Sequence, residues 1–274
     1  MISLIINYIN TLRYTFKSYI EFKNFSKINY KKFNTEETAV TFPLRILIII
    51  IYKTFVNKFN LVFFFNYKKR YTVNYLKKIK KKNLHITTNW FVGNAYYWNE
   101  VFKEKKLYKK KLKILEIGSF EGLSTLYFFY YFPNSRLTCV DLWKNNKQDK
   151  DYNFFNIEKR FDNNTKKFKR RLKKFKSTSD TFFKENSKYL KNKFDIIYVD
   201  GNHNYMFVFR DLINSFRAIK VGGIIIVDDF LNYSFYKNCN KNPISAIVVF
   251  INIFYEKIKI IKITNQIFIQ KTNN

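Results

Sequence analysis

Three acidic residues stand at the ends of two short apolar runs of the chain. Asp200 follows the run 194–199, and Asp228 and Asp229 follow the run 223–227. If these runs are adjacent parallel strands, about 4.8 Å apart, the carboxylates converge on one small volume. Carboxylates packed that closely must share a proton or a cation, and oxygen ligands favour Mg²⁺ over zinc. The alternative is that the aspartates cap turns and bind no metal.

A histidine follows the first of these aspartates. His203 lies three residues beyond Asp200 and is one of only 2 histidines in the chain. A neutral imidazole near a metal can accept the proton of an acceptor hydroxyl, which makes His203 the candidate general base. A loop histidine bonded to a neighbouring backbone group explains the residue equally well, and the sequence leaves both readings open.

A glycine turn lies nearer the start of the same region. Residues 114–125 read ILEIGSFEGLST, so that a buried run containing Glu116 leads into Gly118 and Gly122 and then into a helix pattern. Glycines let the backbone turn sharply and approach a ligand, and a helix N-terminus offers free N–H groups. Asp141 ends the next run, where nucleotide-binding sheets hold a ribose. A turn used only for packing, with Asp141 as a cap, is the alternative.

Apolar, β-branched runs alternate with amphipathic stretches from residue 112 onward, which predicts βα units and a parallel sheet. The predicted strands are Leu112–Ile117, Leu137–Asp141, a weak one near Phe175, Phe194–Asp200, Gly223–Asp228, Ile258–Thr264 and Gln266–Gln270. The predicted helices are Leu123–Phe132, Tyr152–Asn164, Thr181–Leu190, Met206–Ile219 and Ile244–Glu256.

The last two predicted strands are separated by Asn265 alone, so they are expected to form an antiparallel hairpin. The sequence therefore predicts an α/β fold with a seven-stranded, mostly parallel, doubly wound (Rossmann-like) sheet that ends in an antiparallel hairpin. Residues 1–85 are expected to form a helical, basic and aromatic N-terminal extension, and residues 86–274 the catalytic domain. The aromatic segment 90–98 is expected in the core or in the wall of the ligand pocket.

The composition is strongly basic, with 51 Lys+Arg against 20 Asp+Glu and a net charge of +31. Abundant Lys, Asn, Ile, Phe and Tyr are typical of A/T-rich codons, so part of this charge is attributed to solvated surfaces. A basic surface still attracts phosphates and anionic lipid without specificity. The 2 cysteines exclude a disulfide scaffold and a four-thiolate zinc site, and a cytoplasmic setting fits. The longest apolar run, Ile46–Tyr52, is too short to span a bilayer.

The order of strand, Glu-x-Gly-x-x-x-Gly, helix, strand and Asp resembles that of class I S-adenosylmethionine-dependent methyltransferases, over roughly residues 90–272. Phe120 replaces the middle glycine of the common pattern, and the following Glu-Gly-x-Ser-Thr resembles the macrocin O-methyltransferase branch. The resemblance implies S-adenosyl-L-methionine as cofactor. The residues expected to bind it are Glu116, Gly118, Ser119, Gly122, Asp141, Ser179 and Asp180.

The aspartates resemble those of metal-dependent small-molecule O-methyltransferases, which implies Mg²⁺ on Asp200, Asp228 and Asp229. The resemblance further implies a small-molecule acceptor, whose hydroxyl is methylated. An RNA methyltransferase is one alternative, although the chain has no Pro-Pro dipeptide of the kind that base-directed enzymes use. A non-catalytic protein that contacts an anionic membrane surface is the other.

Overall fold

The computed structural model describes residues 48, 52–53, 56, 67–77, 84–108, 110–144, 156–230 and 243–274. Most of the predicted N-terminal extension lies outside these ranges, although residues 67–77 are helical. In the described ranges, no helix is long and apolar enough to cross a membrane.

Seven strands and six α-helices are described from residue 95 onward. The strands are β1 (Lys113–Ile117), β2 (Arg136–Asp141), β3 (Leu172–Lys176), β4 (Phe194–Val199), β5 (Ile219–Val227), β6 (Ile258–Ile263) and β7 (Ile267–Lys271). The helices are α1 (Ala95–Glu104), α2 (Leu123–Tyr131), α3 (Ile157–Thr165), α4 (Ser179–Leu190), α5 (Tyr205–Ala218) and α6 (Pro243–Ile253).

The strands form one sheet in the order β3-β2-β1-β4-β5-β7-β6. The first five are parallel, and β7 runs antiparallel to both β5 and β6. The predicted fold class is therefore confirmed, including the hairpin. The chain builds outward from β1 in one direction and then returns to place β4 on its other side. Open α/β sheets bind ligands at such a switch point, outside the carboxyl ends of the strands.

Helices cover both faces of the sheet, and the alternation of side chains along each strand separates two cores. In β4, Ile197 and Val199 pack with α4, α5 and α6 on one face. Ile196 and Tyr198 point to the other face and pack with α1 and α2. Neighbouring residues of a strand face opposite ways, so Tyr198 faces α1 and α2 while Val199, the last residue of β4, faces the other helices.

Helix α1 is an element that the sequence analysis did not predict. Its buried residues Ala95, Trp98, Val101 and Phe102 recur at helical spacing, but they stand in an aromatic segment that the sequence analysis interpreted as core or pocket wall. Trp98 is fully buried and packs edge-on against Tyr198 of the sheet, with ring centroids 4.8 Å apart. Most of the aromatic segment is therefore core, as one of the two expectations had it, whereas Trp90 is exposed.

Strand β5 begins at Ile219, four residues before its predicted start. Gly222 and Gly223 lie in the middle of the strand. The register against β4 shifts between Phe194 and Ile196, and Gly222 takes a positive φ of 81° at this point. Glycine allows such an irregularity without ending the strand.

Lys271 of β7 is a buried cation, 3% exposed. Its Nζ donates hydrogen bonds to the side chain of Asn192 at 3.0 Å and to the carbonyls of Phe216 and Ile219 at 3.1 and 3.3 Å. These carbonyls lie at the C-terminal end of α5, where the helix dipole favours a positive charge. The ammonium thus joins the end of α5 to the hairpin.

Replacing this lysine is expected to destabilise the fold. Lys271→Met keeps a similar aliphatic length but leaves buried acceptors without a donor, so we expect the free energy of unfolding to fall by ~1–3 kcal/mol. Urea denaturation followed by circular dichroism measures the change. Lys259→Met, at an exposed position of β6, is the matched control and should stay within about 0.5 kcal/mol of the parent. Equal effects in the two variants would contradict the assigned role.

Candidate active site

The glycine turn after β1 passes directly over the end of β4. Gly118 has a φ of 83°, and a Cβ placed on it would lie 1.9 Å from the carbonyl oxygen of Asp200. Only glycine fits a contact that close with this backbone conformation. Gly122, with a φ of 86°, then directs the chain into α2. The predicted cofactor turn and the predicted metal ligand Asp200 are therefore neighbours.

Glu116 is completely buried beneath this turn. Its carboxylate accepts hydrogen bonds from the hydroxyls of Ser119, Ser124 and Thr125 and lies 3.3 Å from the Sγ of Cys139. Burial raises the pKa of Glu116, and the hydrogen bonds partly oppose that rise. The residue holds the turn to the first turn of α2. Its expected contact with the cofactor stays a prediction, since none of its surface is exposed.

Asp141 holds the same turn from the end of β2. Its Oδ2 accepts the backbone N–H groups of Ser119 and Phe120 at 2.8 and 2.9 Å, and its Oδ1 accepts that of Trp143 at 2.7 Å. A carboxylate offers about four acceptor positions, so one remains for a further donor. Asp141 is half-buried, and its expected contact with a ribose hydroxyl stays a prediction.

Phe120 forms the tip of the turn, in a left-handed conformation with a φ of 44°. The ring of Trp90 stacks on it with centroids 5.2 Å apart, and the Nε1 of Trp143 donates to its carbonyl at 2.9 Å. The aromatic residue that replaces the common glycine is therefore held between two tryptophans. Trp90, which is 51% exposed, adds an apolar surface to this rim.

Glu121 is a buried residue of the turn that the sequence analysis did not single out. It is buried, accepts the N–H and the hydroxyl of Thr87 at 2.7 and 2.6 Å, and forms an ion pair with Arg160 of α3 at 2.6 Å. One carboxylate thereby joins the segment before α1, the turn and α3. No spacing rule could have revealed it, because its partners are far away in the sequence.

Ser179 and Asp180, the expected adenine contacts, form the start of α4. The carboxylate of Asp180 lies 2.9 Å from a guanidinium nitrogen of Arg210, and Ser179 bonds to the carboxylate of Asp211. Both side chains thus contact α5, and their expected contact with the cofactor stays a prediction.

Asp211 is a second residue that the sequence analysis did not single out. It is 2% exposed, and burial raises its pKa to about 7. A signal was present in the sequence, because Asp211 stands on the apolar face of α5 between Val208 and Leu212. A charged residue at such a position is seldom placed there without a partner or a purpose.

Two of the three predicted metal ligands converge on one hydroxyl. The phenol oxygen of Tyr198 lies 2.7 Å from Oδ2 of Asp200 and 2.9 Å from Oδ2 of Asp228. Burial and the mutual repulsion of the neighbouring carboxylates raise the pKa of both aspartates. Because a phenol has a single hydrogen, it cannot donate to both carboxylates at once. A proton on one carboxyl or a cation between the two would remove this conflict, so the two residues fit a metal ion.

The third predicted ligand, Asp229, pairs with the predicted base. Its Oδ2 lies 2.8 Å from Nε2 of His203. Burial lowers the pKa of His203, but the hydrogen bond and the charge of Asp229, together with the charge of Asp228, outweigh it and raise the pKa. Within the described ranges no three acidic, histidine or cysteine side chains form a complete metal centre. Mg²⁺ commonly binds one or two carboxylates and completes its coordination with waters. Asp200 and Asp228 are enough to provide the carboxylates.

Comparison with known proteins agrees with this geometry. Residues 115–230 match the family model described as a methyltransferase domain. No curated protein matches the chain in sequence.

Among solved structures, the chain is similar to the MycE methyltransferase from the mycinamycin biosynthetic pathway, in complex with Mg, SAH and mycinamycin VI. The identity is 15%, the TM-score 0.50, and the match covers 74% of this chain and 55% of MycE. It is also similar to an O-methyltransferase from Bacillus cereus in complex with SAH, with 14% identity, a TM-score of 0.48 and coverage of 74% and 91%. The chain thus spans about half the length of MycE, and identities this low show the fold alone.

The strand order and the glycine turn between β1 and α2 agree with the match of residues 115–230 to a methyltransferase domain. The resemblance inferred from the sequence is confirmed at this level.

The buried carboxyl of Asp211 predicts how stability depends on pH. The folded protein keeps this proton up to a pH of about 7, whereas the unfolded chain loses it near 3.8. Between these values the folded state binds more protons, so the free energy of unfolding should fall as the pH rises. Asp211→Asn removes this contribution, and its unfolding free energy should fall less between pH 5 and pH 7.5. Denaturant titrations at both pH values measure the difference, and identical slopes in the two proteins would contradict the assignment.

The contacts of Asp141 with the turn predict that replacing this residue weakens the binding of the cofactor. Asp141→Asn keeps the size of the side chain but loses the charge that holds two N–H groups of the turn, and hydrogen bonds to charged groups contribute ~1.5–3 kcal/mol. We expect the Kd for S-adenosylmethionine, measured by calorimetry, to rise at least about tenfold. Asp162→Asn, an exposed aspartate paired with Lys174 on the surface, is the control and should bind as the parent does. If the parent and the two variants bind S-adenosylmethionine with equal affinity, Asp141 has no role in binding the cofactor.

Proposed function

We propose that the protein transfers the methyl group of S-adenosyl-L-methionine to a hydroxyl of a small molecule, with a divalent cation such as Mg²⁺ at Asp200 and Asp228. The observation that carries the proposal is the convergence of these two carboxylates on Tyr198, next to the glycine turn. MycE, which shares the fold, was solved with Mg, SAH and a small molecule, mycinamycin VI. Its low identity makes this a support for the proposal only.

The cofactor would lie at the open edge formed by Gly118, Ser119 and Asp141. When bound, S-adenosylmethionine supplies a methyl group that its sulfonium charge has already activated. The protein therefore has to align donor and acceptor, which is mainly an entropic contribution. Asp141 holds the turn and keeps an acceptor position for a ribose hydroxyl, while Glu116 holds the turn from beneath. Gly122 begins the helix whose N-terminus faces this edge.

The acceptor would bind at the aspartates. A divalent cation there supplies the positive charge that lowers the pKa of a bound hydroxyl. His203 accepts the released proton, and Asp229 orients the imidazole and stabilises the imidazolium that forms. The raised pKa of His203 makes it a stronger base, although it must be neutral before it can act.

Specificity for the acceptor is assigned to the extension 1–85 and to the loops after β4 and β5, because loops and added segments carry the local variation of such folds. The exposed ring of Trp90, which stacks on Phe120 of the turn, would add an apolar surface to the acceptor site. A reducing, cytoplasmic compartment is part of the proposal and fits the 2 cysteines.

The proposal is tested with radiolabelled S-adenosylmethionine and a panel of sugar, catechol-like and polyketide hydroxyl acceptors, with RNA as a separate arm. We expect transfer to a small molecule that stops with a chelator and returns with Mg²⁺. Asp200→Asn and Asp228→Asn should lose this response. Methyl transfer to RNA alone would support the RNA methyltransferase alternative and contradict the proposal. Full turnover of both variants in the presence of chelator would contradict the proposed metal site.

His203 has its own test in the same assay. His203→Ala should lower kcat by ~10²–10⁴, the usual contribution of a general base, with the Kd for S-adenosylmethionine unchanged. His85→Ala, which removes an exposed histidine side chain, should stay within about twofold. A loss of less than about tenfold for His203→Ala would assign the proton transfer elsewhere.

A further inference from the structure

A chain of buried hydrogen bonds runs from helix α1 to the aspartates. The indole Nε1 of Trp98 donates to Oε1 of Gln266 at 2.6 Å, and Nε2 of Gln266 donates to the phenol oxygen of Tyr198 at 3.2 Å. That phenol in turn contacts Asp200 and Asp228. The side chains of Trp98, Gln266 and Tyr198 are all fully buried. The candidate mechanism assigns no role to the first two of them.

The donor and acceptor atoms fix the direction of this series of hydrogen bonds. An indole nitrogen can only donate, so the carbonyl oxygen of the Gln266 amide must face Trp98 and the NH₂ group must face the aspartates. One amide hydrogen reaches the oxygen of Tyr198 at 3.2 Å. Because the phenol oxygen accepts from Gln266, its own hydrogen is directed to one of the two carboxylates.

Rigid elements hold each member in place. Gln266 sits in the turn between β6 and β7, where its backbone N–H donates to the Thr264 hydroxyl at 2.9 Å and its carbonyl accepts from the Thr264 N–H at 2.7 Å. The ring of Trp98 is packed between Phe91 and Phe128, each with centroids 4.7 Å away. A site held by side chains that cannot change rotamer keeps its geometry better than one on loops.

We infer that Trp98, Gln266 and Tyr198 are positioning residues that hold the carboxylates of Asp200 and Asp228 in the orientation in which they bind the divalent cation. The inference rests on the metal part of the proposed function. The phenol engages Oδ2 of each aspartate, and a carboxylate held by one oxygen keeps the other for an ion. Partners that orient metal ligands in this way typically change metal affinity by ~10–100-fold when they are removed.

The experiment measures Mn²⁺ binding to the full chain by electron paramagnetic resonance, which needs no acceptor and no turnover. Tyr198→Phe removes a single hydroxyl, and we expect the Kd for Mn²⁺ to rise ~10–100-fold and the spectrum of the bound ion to change. Tyr96→Phe is the matched control, because Tyr96 is also a buried tyrosine whose hydroxyl donates to a carboxylate, that of Glu100 at 2.7 Å. This control should bind Mn²⁺ within about twofold of the parent.

Two further variants keep the inference testable if Tyr198→Phe does not fold. Gln266→Met and Trp98→Phe interrupt the chain further from the aspartates and should also weaken Mn²⁺ binding, while the Kd for S-adenosylmethionine stays as in the parent. If the folded variants bind Mn²⁺ with the affinity and the spectrum of the parent, the positioning role is contradicted, although the proposed metal site is not. A parent protein that binds no Mn²⁺ would overturn both the metal part and the inference, whereas cofactor binding would still be measured on its own.

Discussion

The approach of Gly118 to the carbonyl oxygen of Asp200 is the constraint on which the candidate site depends. It brings the turn after β1 against the end of β4, so that a cofactor on the turn and an acceptor at the aspartates would be neighbours. The sheet order makes this contact possible, because β1 and β4 are adjacent at the switch point. Any side chain at position 118 would have to push the two strand ends apart, and alignment of donor and acceptor is most of what this chemistry requires.

The elements that the sequence predicted correctly are those with a strong local signal. The alternation of β-branched runs with amphipathic stretches indicated the strands from β1 onward, and the single residue between the last two runs indicated the hairpin. The two glycines of the turn and the aspartate at the end of β2 were likewise visible as a spacing. Position along a strand is enough to place Asp141 and Asp200 at one edge, since parallel strands end on the same side.

What the sequence could not give depends on contacts between distant residues. Glu116 was expected to face the cofactor, and only the structure shows that the hydroxyls of the turn and of α2 enclose it. Asp180 was expected at the adenine, and only the structure shows that it also forms an ion pair with Arg210 of α5. No sequence pattern indicated a role for Gln266, because its hydrogen-bond partner Trp98 lies 168 positions earlier in the chain. Hydrogen-bond partners of this kind follow from packing, which no spacing rule encodes.

The bonds of Glu121 have a mechanical consequence. Through Thr87, the segment that precedes α1 is fastened to the glycine turn, and through Arg160 the same carboxylate fastens α3. A displacement of either partner would therefore be transmitted to the backbone of the turn between β1 and α2.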